Sequence, residues 1–337
     1  YAAASPYVLT GEVVVRPGAR LTIEPGVTVR SEGPGLRILG HLVAEGRPGA
    51  PVVLEGNGRG LWEGVVLEGP GAGESILAEC RVVGARIGVA IEGASPQVQA
   101  CLIEKGGIGI RVGGAEARPV LRGVQSLRNA GAGIVVEREA SPRIEEATVA
   151  ENGGAGVEVR QATPAISRSA LRHNSGAGVE VVGVSPRLEA NSIQGNRGWQ
   201  VVAGMDGGGG SGPLDVSGNY WGTGEIEQVL AGLSGSVTLR DILDGPPPAG
   251  KPIEVSPLRS PVPTAVRGIQ VLLAEAGPFL IESELLIGPG ARLIIQAGTT
   301  IRLGRGARGI VVAGGQLVAL GTPDRSIVLR SASEAPA

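Results

Sequence analysis

The sequence predicts an all-β chain: a right-handed parallel β-helix, wound as a single-stranded solenoid of about 22 residues per coil. Opening coils of a second, incomplete β-helix unit follow at the C-terminal end. The first observation behind this is a phrase repeated between Gly88 and Asn196: GVAIEG, GIRVGG, GIVVER, GVEVRQ and GVEVVG open at Gly88, Gly109, Gly133, Gly156 and Gly178. Prolines at 96, 119, 142, 164 and 186 keep the same register, 23, 23, 22 and 22 residues apart. An aliphatic follows each proline by two, at Val98, Leu121, Ile144, Ile166 and Leu188. A fixed period of this length is the signature of a repeat architecture. The second observation is the alternation inside each phrase, for example Val157 and Val159 flanking Glu158, which belongs to half-buried strands. The third is an asparagine ten residues after each of the last four prolines: Asn129, Asn152, Asn174 and Asn196.

These observations leave few architectures. A repeat this short, holding two or three strands, has no room for a crossover helix, so each repeat is one coil stacked on the next. Leucine-rich repeats share the period, but their LxxLxLxxN phrase is missing. Asparagine tolerates the left-handed backbone of a sharp corner, and its amide can bond its counterpart on the neighbouring coil. The four asparagines are therefore expected to form a structural ladder. Cys80 and Cys101 fall at equivalent places on adjacent coils, about 4.8 Å apart at the backbone. A disulfide is within reach, but vertical neighbours align their side chains poorly for it, so a buried free pair is the preferred reading.

Composition narrows the function classes. Gly 58 with 42% hydrophobic residues and only 2% aromatic fits many tight turns filled with aliphatics. Glycine follows no three-residue period, so neither a collagen-like nor a disordered chain is implied. A net charge of −2 without a basic run argues against nucleic acid, and no apolar stretch is long enough to insert in a membrane as a helix. The chain begins at Tyr1 rather than Met, which suggests a removed leader or a piece of something longer.

In chain order, residues 6–54 alternate short apolar strands with Pro17-Gly18 and Pro25-Gly26 turns, and Trp62-Glu63-Gly64 begins the regular series. The turn at Pro17-Gly18, the run Leu21 to Val27, the turn Gly40 to Gly46 and the Trp62-Glu63-Gly64 phrase together resemble the opening of many secreted β-helix proteins. The chain is thus similar to the pectin-lyase-like superfamily of parallel β-helix repeat proteins, which includes lyases, adhesins and nitrous-oxide-reductase accessory proteins. Its Asn219-Tyr220-Trp221-Gly222 phrase resembles the terminal coil of many members.

After Asn196 the period breaks. Trp199 starts a strand, the glycine-rich stretch from Met205 to Gly212 is expected as a loop, and Ile226, Val229, Leu230 and Leu233 mark a short helix. DGPPPAGKP reads as a stiff connector. A domain boundary is expected near 261, giving 1–261 as one unit and 262–337 as the start of another. From Gly277 the opening pattern returns at an offset of 272: Pro6 with Pro278, Gly18 with Gly290, Leu21 with Leu293, Gly26 with Gly298. With three residues inserted, Leu42 matches Leu317 and Gly46 matches Gly321. Exposed coil edges are templates for another strand, so head-to-tail self-association or a tandem array is expected.

Chemistry is sparse. The five aspartates all lie outside the regular coils, where the resemblance would place a catalytic groove. Glu158 and Glu180 should stack outward on adjacent coils with Arg160 and Arg138 nearby; this is the one carboxylate–arginine cluster, and a solvated face explains it as well. His173 sits in a turn, and His41 is replaced by Gln316 in the second copy. A copper role, implied by the accessory-protein resemblance, finds no ligand set, and the acidic loop at Asp206 lacks calcium-loop spacing. No catalytic, cofactor or metal residue is assigned. Trp62, Trp199, Tyr220 and Trp221 could stack on sugars or pack the coil ends. The leading expectation is a non-catalytic, secreted or surface-exposed structural or adhesive solenoid. The alternative is a carbohydrate-binding or polysaccharide-cleaving module contacting glycans through Glu158, Glu180, Arg160, Trp199 and Trp221.

Overall fold

The computed structural model describes residues 4–204 and 212–332. The chain forms two compact units, Tyr1–Ser211 and Gly212–Ala337. The division falls at 211/212, so position 261 lies inside the second unit. The stretch from Met205 through Ser211, with Asp206, lies outside the described residues.

In the first unit the alternating strands stack into parallel sheets, as their period-two pattern requires. One sheet runs from Tyr7–Leu9 to Ser192–Gln194, the next from Val13–Val15 to Val201–Gly204, the third from Arg20–Ile23 to Arg187–Glu189. Each coil visits the three in that order. Cys80–Val83, Ile87–Glu92 and Gln97–Gln99 make one coil; Leu102–Glu104 begins the next by pairing in parallel with Cys80–Val83. The aliphatics after the prolines form one column, in the register Leu77, Val98, Leu121, Ile144, Ile166, Leu188. Their neighbours Val89, Ile110, Ile134, Val157 and Val179 form another, and all of these are buried. Each such side chain contributes about 1.5–3 kcal/mol of burial, and the core is the sum of these columns.

The asparagines stand in single file at one corner. Asn129 Nδ2 donates to Asn152 Oδ1 at 3.0 Å, Asn152 to Asn174 at 2.9 Å, and Asn174 to Asn196 at 2.9 Å. Each Oδ1 also accepts the backbone N–H of the asparagine below. The second amide proton reaches a carbonyl: Asn152 to Ser126 O, Asn174 to Val149 O, Asn196 to Leu171 O. Every buried amide is thereby satisfied, which burial demands. One detail corrects the sequence reading. The left-handed residue is the one before each asparagine, at Arg128, Glu151, His173 and Gly195, with φ from 53° to 65°. The asparagine turns inward and the residue ahead of it carries the corner. A second left-handed column, Ala100, Gly123, Glu146, Arg168 and Ala190, turns each coil from the third sheet to the first. Its non-glycine members cost about 1–2 kcal/mol each, and stacking holds them there.

The glycine that opens each phrase is set by crowding. A Cβ on Gly156 would lie 2.6 Å from Gly178 O on the next coil and 2.9 Å from Asn174 Nδ2. Cys80 and Cys101 are free and buried, each one residue before the paired Arg81 and Leu102. Each thiol donates to a carbonyl, Cys80 to Ala44 and Cys101 to Gln99 at 3.2 Å. The contact with Cys101, then burial, pushes the Cys80 pKa far up.

In the second unit Ile226–Ala231 is the short helix, with Ile226, Val229 and Leu230 buried. The proline-rich DGPPPAGKP is a hairpin loop rather than a connector: Asp241–Leu243 pairs antiparallel with Pro252–Glu254 around it, and Lys251 N donates to Asp244 Oδ1. The second coil series follows the predicted offset. Phe279–Ile281, Glu284–Ile287 and Arg292–Ile295 pair with Thr300–Leu303, Gly309–Val312 and Gln316–Ala319. In the first series Tyr7–Leu9, Val13–Val15 and Arg20–Ile23 pair with Thr28–Ser31, Leu36–Ile38 and His41–Glu45. Leu21 meets Leu42 as Leu293 meets Leu317.

Candidate functional site

Arginine and glutamate side chains on the coils pair both across coils and within one strand. Arg81 and Arg128 clamp Glu104; Arg122 and Arg143 clamp Glu145. Burial opposes ionisation of Glu104, but Arg128 and Arg81 outweigh it and hold that carboxyl below its ordinary value. Arg143, then Arg122, do the same for Glu145. These carboxylates are fixed anions without a proton to give at neutral pH.

On the outer face of the second sheet one column runs in register through Arg37, Val66, Ala90, Arg111, Val135, Glu158 and Glu180. Glu158 and Glu180 are adjacent, as expected. Arg160 Nη2 donates to Glu158 Oε2 at 2.6 Å. Arg138 does not join them: it turns back across Gly113 and pairs with Glu92, two coils away. Gly113 permits this, since a Cβ there would sit 2.4 Å from Arg138 Nη2. Burial raises the Glu158 pKa above the ordinary carboxylate value; Arg160 opposes the rise, and Glu180 and Glu137 add to it.

Further along this face, the small side chain of Ala90 beside Val66 leaves a groove of about 790 Å³. Arg37, paired with Glu68 at 2.6 Å, closes one end. Arg111, Glu92 and Arg138 close the other. The sequence reading missed it, because a hollow made by one alanine among larger neighbours appears only once the column is in register.

The aromatic residues separate. Trp199 is partly exposed, whereas Trp221 belongs to the second unit and is 5% exposed, so it offers no stacking face. Trp62 is buried, its Nε1 donating to Val83 O at 2.9 Å. His173 occupies an exposed left-handed corner. Among the described residues no group of three or more His, Cys, Asp or Glu could hold a metal ion. No helix among them is long and apolar enough to cross a membrane.

Residues 63–219 match the family model described as the right handed beta helix region. These residues form right-handed parallel β-helix coils. No curated protein matches this β-helix in sequence. Among solved structures it is similar to pectate lyase Pel9A, at 16% identity and a TM-score of 0.39, over 69% of this chain and 78% of that one. It is also similar to the catalytic unit of the thermostable GH87 α-1,3-glucanase from Streptomyces thermodiastaticus strain HF3-3, at 12% identity and a TM-score of 0.31. That match covers 93% of this chain and 64% of the glucanase chain.

Proposed function

We infer that the chain is a non-catalytic structural or adhesive solenoid of the cell exterior that joins copies end to end. The observation that supports this is the state of its first coil. An apolar hollow of about 370 Å³ lies there, lined by Leu9, Val13, Leu21, Ile23 and Val27 beneath Tyr7. In the second series the equivalent coil is roofed by strands Ala265–Val266 and Ile269–Leu272. A coil of this type accepts a strand layer on that side. Sedimentation equilibrium of the full chain tests the joint. Concentration-dependent association should be lost in Leu21→Asp with the coil spectrum intact; a strict monomer at all concentrations sinks the reading.

A second reading, a polysaccharide-active module, is supported by Glu158, a carboxyl whose proton is held more tightly by burial and, to a lesser degree, by the carboxylates of Glu180 and Glu137. General acid catalysis needs a group of this kind. Release of oligosaccharide from a polysaccharide, abolished by Glu158→Gln, would favour this reading over the first.

A further inference from the structure

Asparagine is followed by glycine twice in this sequence, at Asn57-Gly58 and at Asn152-Gly153. In such a pair the main-chain nitrogen of the glycine can attack the side-chain amide carbon of the asparagine, because glycine puts no Cβ in the path. The fold gives the two pairs opposite surroundings. Asn152 is a fully buried member of the ladder. Its Oδ1 accepts from Asn129 N and Asn129 Nδ2, and its Nδ2 donates to Ser126 O and Asn174 Oδ1. Gly153 N donates to Asn129 O at 2.7 Å. Nucleophile and amide are each held by a neighbouring coil, so bringing them together means opening the ladder.

Asn57 differs on each point. With Gly58, Arg59 and Gly60 it forms an exposed loop between the strand Val52–Gly56 and Trp62. Gly58 has a φ of 81° and open space where a Cβ would stand. Its N–H donates to no other group among the described residues, so the nucleophile is free. Arg59 N donates to Asn57 Oδ1 at 3.0 Å. That bond folds the side-chain amide back onto the loop backbone beside Gly58, and it draws electron density from the amide carbon.

We infer that Asn57 is a site of spontaneous chemical modification, converted by cyclisation and hydrolysis into aspartate and isoaspartate, while the ladder shields Asn152 from the same reaction. Gly58 N gives its proton to hydroxide and forms a bond to Asn57 Cγ. The Cγ–Nδ2 bond breaks, and Nδ2 leaves as ammonia with a proton taken from water, which restores the hydroxide. A second water opens the resulting succinimide at either carbonyl. Opening at Cγ gives aspartate; opening at the main-chain carbonyl leaves the chain running through Cγ, as isoaspartate. The net change is one water consumed and one ammonia released, with no other reactant. In the aspartate form Arg59 N donates to a carboxylate rather than an amide, a stronger bond. Each event adds one negative charge, and isoaspartate also lengthens by one carbon the main chain that leads into buried Trp62.

Time courses of the full chain in mildly alkaline buffer, folded and unfolded in guanidinium chloride, test it, with peptide mass spectrometry reading residues 57 and 152. In the folded chain Asn57 should gain the mass of an acid in a single exponential, with isoaspartate and aspartate both formed and the rate rising with pH. Asn152 should react at least ~100-fold more slowly, since several buried hydrogen bonds must open together. In the unfolded chain the two sites should converge to similar rates, because only the fold separates them. Asn57→Gln, whose ring would have to be six-membered, should abolish modification at 57 with the circular dichroism unchanged. An Asn57 that is inert in the folded chain, whether or not it reacts unfolded, or a folded Asn152 that reacts as fast as Asn57, would each overturn the proposal.

Discussion

The first coil and its repeat 272 residues later are nearly the same coil in two circumstances. Tyr7 is 38% exposed, and its counterpart Phe279 is fully buried. Leu21 is half-buried and Leu293 is sealed. The strands, their register and their turns agree; the difference is the layer above. In the second series Val262 N donates to Leu280 O at 2.8 Å, and Ile269–Leu272 runs along Arg292–Ile295. A β-helix coil therefore owes most of its burial to its neighbours, and the same residues change from lining to core when a neighbour is supplied.

Several substitutions break or sharpen this comparison. Phe279→Ala should cost about 3–5 kcal/mol in chemical denaturation, and Tyr7→Ala less than about 1 kcal/mol; equal losses would show that the roof over the second coil adds little. Asn152→Ala removes the acceptor for both Asn129 N and Asn129 Nδ2. It should cost about 2–4 kcal/mol and raise hydrogen exchange in the ladder coils, leaving the second series, which has no such column, unchanged. Gly156→Ala forces a methyl against Gly178 O and should cost about 1–3 kcal/mol.

Smaller effects follow from titration. Glu104 and Glu145 have pKa values held down in the fold. Their stabilisation is present above the unfolded carboxylate value, about 4.3, and is lost as pH falls through the lower folded values. Melting temperature of the wild type should fall on acidification below that point, more steeply than for the double variant Glu104→Gln, Glu145→Gln. Glu158 has the opposite sign. Its folded pKa is raised, so its ionisation weakens the fold as pH rises through that value, and Glu158→Gln should remove this small loss.

Much of this was legible in the sequence because the solenoid repeats its chemistry. The proline register named the inner column, the asparagine offset named the ladder, and the offset of 272 named the second series. What escaped was whatever lacks a fixed residue type. The left-handed corners are filled by Arg, Glu, His, Ala or Gly, since stacking rather than intrinsic preference holds them. Asn191, which accepts the backbone N–H of Ser169, stands outside the asparagine register and gave no signal. Arg138 was expected near Glu158 from the stacking of adjacent coils, yet the opening left by Gly113 sends it to Glu92. The proline-rich stretch read as a spacer because its hairpin depends on partners on either side of it.

The amide column also has a direction. Every Nδ2 points to the Oδ1 of the following coil, and the file ends where Asn196 donates to Gln200 Oε1. Cutting out residues 152–173 would bring Asn129 against Asn174 with donor still meeting acceptor, whereas removing half as many would strand one of each. Along the asparagine file, length is therefore counted in whole turns.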